Sequence, residues 1–299
     1  MRLGVTMFAT DRAMAVPELA VEAERRGFAS LYLPEHTHIP VSRATPPPTG
    51  DAALPEEYAR TLDPLMALAA AASVTSRIVL GTGVSLIAER EPIVTAKAVA
   101  TLDHLSGGRV ALGVGFGWNR EEAADHGVRW ETRRARAREH VLAMRALWER
   151  EEASYEGEFV RFAPSWAWPK PARRIPVLLG GAPGPTLFRH IAEYGDGWLP
   201  IGGAGVREAL PALRDACARA GRDPVPVIPF GTEPTPGKLD YYASLGIAEV
   251  VLRLPSGPRE EILPVLDAYT DAYLTAYADE RSRRVVSGAG RGEAASKAE

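Results

Sequence analysis

The feature that most constrains this chain is a coarse repeat of short apolar runs and helix-length stretches. Eight β-rich runs occur, at Leu3–Met7, Ser30–Leu33, Arg77–Val84, Val110–Val114, Pro176–Leu179, Gly197–Leu199, Val225–Ile228 and Val250–Leu254. Most are continuously apolar rather than alternating, as strands buried on both faces are. The stretches between them carry helix punctuation. Pro17 stands at a first helical position and Gly27 closes that helix, while Asp63-Pro64 opens an alanine-rich run. After Glu91-Pro92, apolar residues recur at helical spacing until Gly107-Gly108 stops them, and Ala137, Val141, Met144 and Trp148 mark another stripe. Strand–helix alternation implies parallel βαβ units, and eight of them predict an α/β fold closed as a (β/α)8 barrel. A length of 299 residues suits one such barrel.

Two stretches interrupt the repeat. Residues 35–62 form a Pro-rich loop insertion after the second strand, and Tyr155 to Pro176 form another after the fourth, with Gly157 in a hairpin and then Trp166 and Trp168. Long loops of this kind are commonly functional, and both are expected to act as lids. One barrel domain is expected over 1–281, and the Arg-, Gly- and Ser-rich 282–299 is expected to be a flexible tail. The net charge of −3 gives no reason to expect nucleic acid or a membrane surface as partner. A single cysteine, Cys217, excludes an internal disulfide and a cysteine metal cage. No segment has the length of a membrane span, and the N-terminus reads straight into a strand, so a cytoplasmic protein is expected.

In such a barrel, chemistry sits at the C-terminal strand ends and the loops after them. Glu35-His36-Thr37-His38 places a carboxylate and two imidazoles there, groups suited to general acid–base work. A metal ligand set is the rival, but no other strand end supplies a further histidine, and no metal is expected. A purely structural role stays open. In Leu80-Gly81-Thr82-Gly83-Val84, strand glycines mark a bulge or a close approach of another group to the backbone; room inside the barrel is an equal reading. The run Gly113-Val114-Gly115-Phe116-Gly117-Trp118 lacks the acidic strand end of a dinucleotide fingerprint. It reads instead as a glycine-lined wall, with Trp118 over the pocket and Glu121 on the next helix. Gly180-Gly181, ahead of a helix, offers backbone N–H groups and a helix dipole to a phosphate, or is a simple tight turn. Phe8, Pro200 and Trp198 complete the candidate lining.

These segments together resemble the bacterial luciferase-like superfamily of flavin and deazaflavin oxidoreductases, and within it the actinobacterial branch that uses coenzyme F420. The resemblance runs from Met1 to about Tyr277 and is most specific at Arg77–Val84, Thr95–Trp118 and Pro176–Trp198. It implies a barrel of the luciferase-like type and a non-proline cis peptide at Gly83-Val84 whose bulge supports the deazaflavin ring. It further implies that Gly115 lies beside that ring, that Gly180 and Gly181 hold the cofactor phosphate, and that His36, with Glu35, donates a proton or orients the ligand. The chain departs from the glucose-phosphate-oxidising branch in three ways. Glu35 replaces an aspartate, Trp118 stands where that branch has a catalytic glutamate, and Lys97, Lys170, Lys238 and Lys297 provide no pair to grip a sugar phosphate. These departures argue against sugar-phosphate oxidation.

The expected function is hydride transfer between F420 and a small organic substrate. The alternatives are an FMN-dependent monooxygenase and a family member that only binds a flavin. A phosphosugar isomerase or aldolase would need a lysine or carboxylate pair at the mouth, which the sequence does not show. By analogy with the family, a homodimer is expected.

Overall fold

The computed structural model describes residues 1–48, 50 and 53–274; the tail 282–299 and the end of the expected barrel domain lie outside them. Strands β1 (Arg2–Thr6), β2 (Ser30–Leu33), β3 (Val79–Thr82), β4 (Val110–Val114), β7 (Val177–Gly180), β8 (Gly197–Leu199) and β9 (Glu249–Arg253) form one parallel sheet, in the order β8-β7-β4-β3-β2-β1-β9. The antiparallel hairpin of β5 (Glu152–Glu156) and β6 (Arg161–Trp166) stands apart from it.

Between β8 and β9 the expected seventh strand is replaced by an irregular segment. It hydrogen-bonds on both sides nonetheless. Pro226 accepts from the Trp198 amide at 3.0 Å, the Phe230 amide donates to Pro200 at 2.9 Å, and the Val251 amide donates to Pro229 at 2.9 Å. Isolated bridges join Trp198 to Val227, Ile201 to Phe230 and Thr232 to Leu252. Pro224, Pro226 and Pro229 carry no N–H and interrupt a regular ladder, while the segment still closes the barrel.

The helices follow their punctuation: α1 (Val16–Arg26), α2 (Pro64–Ala72), α3 (Pro92–Ser106), α4 (Arg120–Asp125), α5 (Arg133–Glu149), α6 (Pro185–Tyr194), α7 (Val206–Arg219), α8 (Pro236–Ser244) and α9 (Arg259–Tyr269). Asp63 caps α2 by accepting from the Met66 amide at 2.9 Å, and Glu91 caps α3 through Val94 at 2.6 Å. Gly27 and Gly107 end α1 and α3 with φ of 91° and 68°, a conformation L side chains avoid. Tyr32, Ala111, Leu178, Leu199 and Val251 of the strands pack with Ile228 and Phe230 of the irregular segment as a barrel interior separate from the larger layer under the helices. Each fully buried side chain of this size contributes about 1.5–3 kcal/mol.

The first insertion reaches the mouth and is tied there. The Leu62 amide donates to Ala9 at 2.8 Å, and Arg60 forks onto Asp11 at 2.8 and 2.7 Å. The second insertion lies between the fourth and fifth sheet strands, but it follows α5. Its turn is gripped by Glu139 of α5, which accepts from the amides of Glu158 at 3.1 Å and Phe159 at 2.8 Å. Trp166 and Trp168 lie exposed on the outer flank, where Lys97 of α3 donates to the Trp168 carbonyl. This insertion is therefore no lid. No described helix is long and apolar enough to cross a membrane.

Candidate active site

Gly83, Gly115 and Gly180 share a cavity of about 540 Å3 at the C-terminal mouth, with Phe8, His36, Val84, Trp118, Gly181 and Phe230 also on its lining. Other cavities, of about 720 Å3 at the opposite end and about 1110 Å3 between α6 and α7, contain none of the strand-end residues singled out above.

The glycines act differently from the bare main-chain wall expected of them. The Gly83–Val84 peptide is cis, and Val84 projects between the neighbouring strand ends. A Cβ at Gly115 would come within 2.3 Å of Val84 Cγ2, and one at Gly180 within 2.8 Å of Val84 Cγ1. Gly83 has the Phe230 ring where its own Cβ would be, at 2.2 Å. The glycines thus make room for Val84 and Phe230, and the surface offered to a ligand is an isopropyl ledge. Close packing leaves no slack for a methyl group at these positions.

His36 sits at one side of the ledge, 8 % exposed. Trp118 Nε1, which can only donate, reaches His36 Nε2 at 3.2 Å. The imidazole therefore accepts at Nε2, and its proton lies on Nδ1, 2.7 Å from Glu122 Oε2. Glu122 is 1 % exposed and also accepts from the Thr37 amide at 3.0 Å. Asn119 caps α4 by accepting from the Glu122 amide at 3.4 Å, which turns that side chain back toward the strand ends. The orienting carboxylate is thus Glu122, not Glu35. Glu35 is fully used elsewhere, accepting from Ser85 Oγ at 2.6 Å, the Leu86 amide at 2.8 Å and Arg90 Nε at 2.6 Å. It braces the ends of β2 and β3. Arg90, reaching on to Asp63 at 2.6 Å, is held above its ordinary value by Glu35, although burial opposes its charge.

A third carboxyl lies close by. Burial, then the charges of Glu122 and Glu35, push Glu89 up to about 8. Its Oε2 is buried without a hydrogen-bond partner, and Oε1 lies 3.2 Å from where a Cβ of Gly117 would stand. Tyr58, brought in by the first insertion, closes over the site with its ring centroid 5.3 Å from His36 and 4.7 Å from Phe8; burial raises its phenol above the ordinary value.

On the far side, Arg134 of α5 lies 4.2 Å over the Phe116 ring and lines the cavity that Gly180 and Gly181 also line. Its Nη1 is buried with no hydrogen-bond partner among the described residues, and burial pulls its pKa down. An unpaired guanidinium beside a glycine turn is a place for an anion.

Three expected lining residues lie elsewhere. Glu121 points away, accepting from the Ala44 amide at 2.7 Å and Thr45 Oγ1 at 2.6 Å; these bonds hold it near 2 and pin the first insertion. Trp198 is wholly buried, its Nε1 donating to the Gly181 carbonyl at 3.0 Å. Pro200 serves as a backbone partner of Phe230, and Ile201 and Gly202 line the cavity in its place. Sequence reading overlooked Glu122, Glu89 and Arg134. The spacing Asn119-x-x-Glu122 is a helix-start pattern that points to Glu122, whereas nothing in the local sequence separates Arg134 from its arginine neighbours. Among the described residues, no cluster of three or more metal-ligating side chains occurs.

Residues 2–232 match the sequence profile of a family described as luciferase-like monooxygenase. An uncharacterised protein of Mycobacterium tuberculosis is 50% identical over 260 residues, covering 85% of this chain and 92% of that protein. An F420-dependent glucose-6-phosphate dehydrogenase of Segniliparus rotundus is 34% identical over 216 residues, covering 69% of this chain and 59% of that enzyme. Among solved structures, a monooxygenase from Streptomyces bottropensis superposes with a TM-score of 0.76 over 93% of this chain and all of that one, at 22% identity.

Proposed function

Since the chain belongs to the luciferase-like monooxygenase family, whose relatives support a redox function, we propose that it is an F420-dependent oxidoreductase that moves hydride to or from a small organic substrate at the barrel mouth. The observation that carries this reading is the Val84 ledge, seated between Gly115 and Gly180 with His36 at its side. The residues present fit the coenzyme. The ledge gives one face of a planar ring an apolar support, and Arg134, which lines the same cavity as Gly180 and Gly181, offers a positive charge to its phosphate. When bound, a deazaflavin supplies a carbon that gives or takes hydride, where a flavin has a nitrogen able to engage oxygen.

The protein's own part is positioning and proton handling. His36 Nε2 faces the cavity side, where it accepts from Trp118. A substrate hydroxyl arriving there competes with the indole for the same lone pair, so Nε2 takes its proton as the carbon loses hydride, or returns it in reverse. Glu122 fixes the reactive tautomer and stabilises the imidazolium that forms. Tyr58, Phe8 and Trp118 exclude water from this corner. Glu35 positions the strand ends without touching the reaction.

Side-by-side fluorescence titrations with F420 and FMN test the assignment. Tight F420 binding with weak FMN binding is expected, and tight FMN binding with none for F420 would replace hydride transfer with oxygen chemistry. The homodimer is carried forward in the same reading. Met66 of α2 and Val94 of α3 are exposed on neighbouring helices, an arrangement suited to a second copy, and the mass in solution by light scattering decides it.

A further inference from the structure

The N-terminal end of the barrel, opposite the mouth, holds a cavity of about 720 Å3 that the redox reading leaves unused. Its inner walls are apolar, formed by Val79, Ala111, Leu178 and Ile228. Tyr32 also lines it. That side chain is 2 % exposed, and its ring lies against Gly81, where a Cβ would come within 2.3 Å of Cε1. The Tyr32 hydroxyl has no hydrogen-bond partner among the described residues, and it lies close enough to Glu249 and Arg2, which line the same cavity, to feel both charges. The hydroxyl is not sealed off from the cavity, so a polar atom supplied from the cavity can pair with it there.

The rim is cationic. Arg2, Arg173, Arg174 and Arg214 stand on it against Asp196 and Glu249. Both carboxylates are already answered. Glu249 takes Arg2 at 2.7 Å and Ser30 Oγ at 2.7 Å, and Asp196 takes Arg145 at 2.6 Å and Arg174 at 3.1 Å. Among the described residues no carboxylate pairs with Arg214 or with Arg173, whose Nε donates to the Gly108 carbonyl, so neither positive charge meets an anion at the opening. An apolar interior, one hydroxyl at depth and two guanidinium groups without a carboxylate partner at the entrance specify a ligand with three parts.

We propose that this cavity is a second ligand site, for a small aromatic carboxylate. The apolar body fills the space between Val79, Ala111, Leu178 and Ile228, a polar substituent at its far end meets the Tyr32 hydroxyl, and the carboxylate faces Arg173 and Arg214. The site is one ring away from the mouth. Tyr32 meets the edge of Phe230 at 5.7 Å between centroids, and Phe230 in turn packs on Gly83 at the cofactor ledge.

Calorimetric titration of the full chain with 4-hydroxyphenylacetate, and with the neutral 4-hydroxyphenylacetamide as its match, tests the proposal. The acid binds once per chain, and the amide binds at least about tenfold more weakly, as loss of a favourable charge contact implies. Arg214→Glu weakens the acid by about tenfold or more and leaves F420 affinity unchanged. Tyr32→Phe removes only the unpartnered hydroxyl, keeps the fold, and weakens the acid by about tenfold. Absence of binding at millimolar acid, equal binding of acid and amide, or affinity untouched by both substitutions overturns the site. Displacement of the acid by F420 also overturns it, by placing the probe at the mouth; this outcome is separable from failure of the redox reading, which the coenzyme titration alone decides.

Discussion

Glu89→Gln gives the account a quantitative test away from turnover. Glu89 is an acid whose native value is raised, from 4.5 to about 8, so the fold favours its neutral form. Below 4.5 both native and unfolded chains hold the proton, and the site carries no ionisation cost. As pH rises through the window from 4.5 to about 8, the unfolded chain releases the proton first and stability falls. Each pH unit in that window is worth about 1.4 kcal/mol, so the loss at neutral pH is on the order of 3 kcal/mol. A glutamine resembles the protonated acid in shape and cannot ionise. Wild type and Glu89→Gln therefore melt together near pH 4.5 and diverge toward pH 8, the variant melting later by several degrees, about 2–4 °C per kcal/mol for a chain of this size. Differential scanning calorimetry across pH 4.5–8.5 reads this directly. A difference in Tm that stays constant over the whole range would refute the argument that Glu122, Glu35 and burial keep this carboxyl neutral.

Other expectations follow from the same geometry. Glu122→Gln lowers kcat by a factor within the roughly 10²–10⁴ that a positioned proton-transfer group contributes, with KM little changed, in steady-state assays once a substrate is in hand. Glu35→Ala leaves Arg90 without its buried partner and costs roughly 3 kcal/mol in urea unfolding, a stability effect and not a chemical one. Arg134→Ala weakens F420 by roughly tenfold to a hundredfold and flattens the salt dependence of its binding, while Tm holds.

Much of the architecture was legible because barrel strands are short, continuously apolar and bounded by proline and glycine. The same residues explain where reading stopped. Pro224, Pro226 and Pro229 turn the seventh strand into an irregular closure, a departure visible only once neighbouring strands are in place. The three mouth glycines were correctly gathered into one cavity, yet their purpose was misread. Whether a missing Cβ leaves bare backbone or admits Val84 depends on a neighbour in a different strand. His36 was found at a strand end, but its partner is 86 residues along the chain, so the adjacent Glu35 drew the assignment that belongs to Glu122. The tryptophans at 166 and 168 resembled lid residues because composition cannot tell a loop leaving a strand from one leaving a helix.

The central claim is that the ring of F420 rests on Val84, and Gly115→Ala addresses it most directly. The new methyl would stand 2.3 Å from Val84 Cγ2 and must displace the ledge. Overpacking of this kind costs about 1–3 kcal/mol of stability, and the displaced ledge no longer matches the ring, so F420 affinity falls by roughly tenfold or more in fluorescence titration of a variant that remains folded. Wild-type affinity in that folded variant would contradict the account.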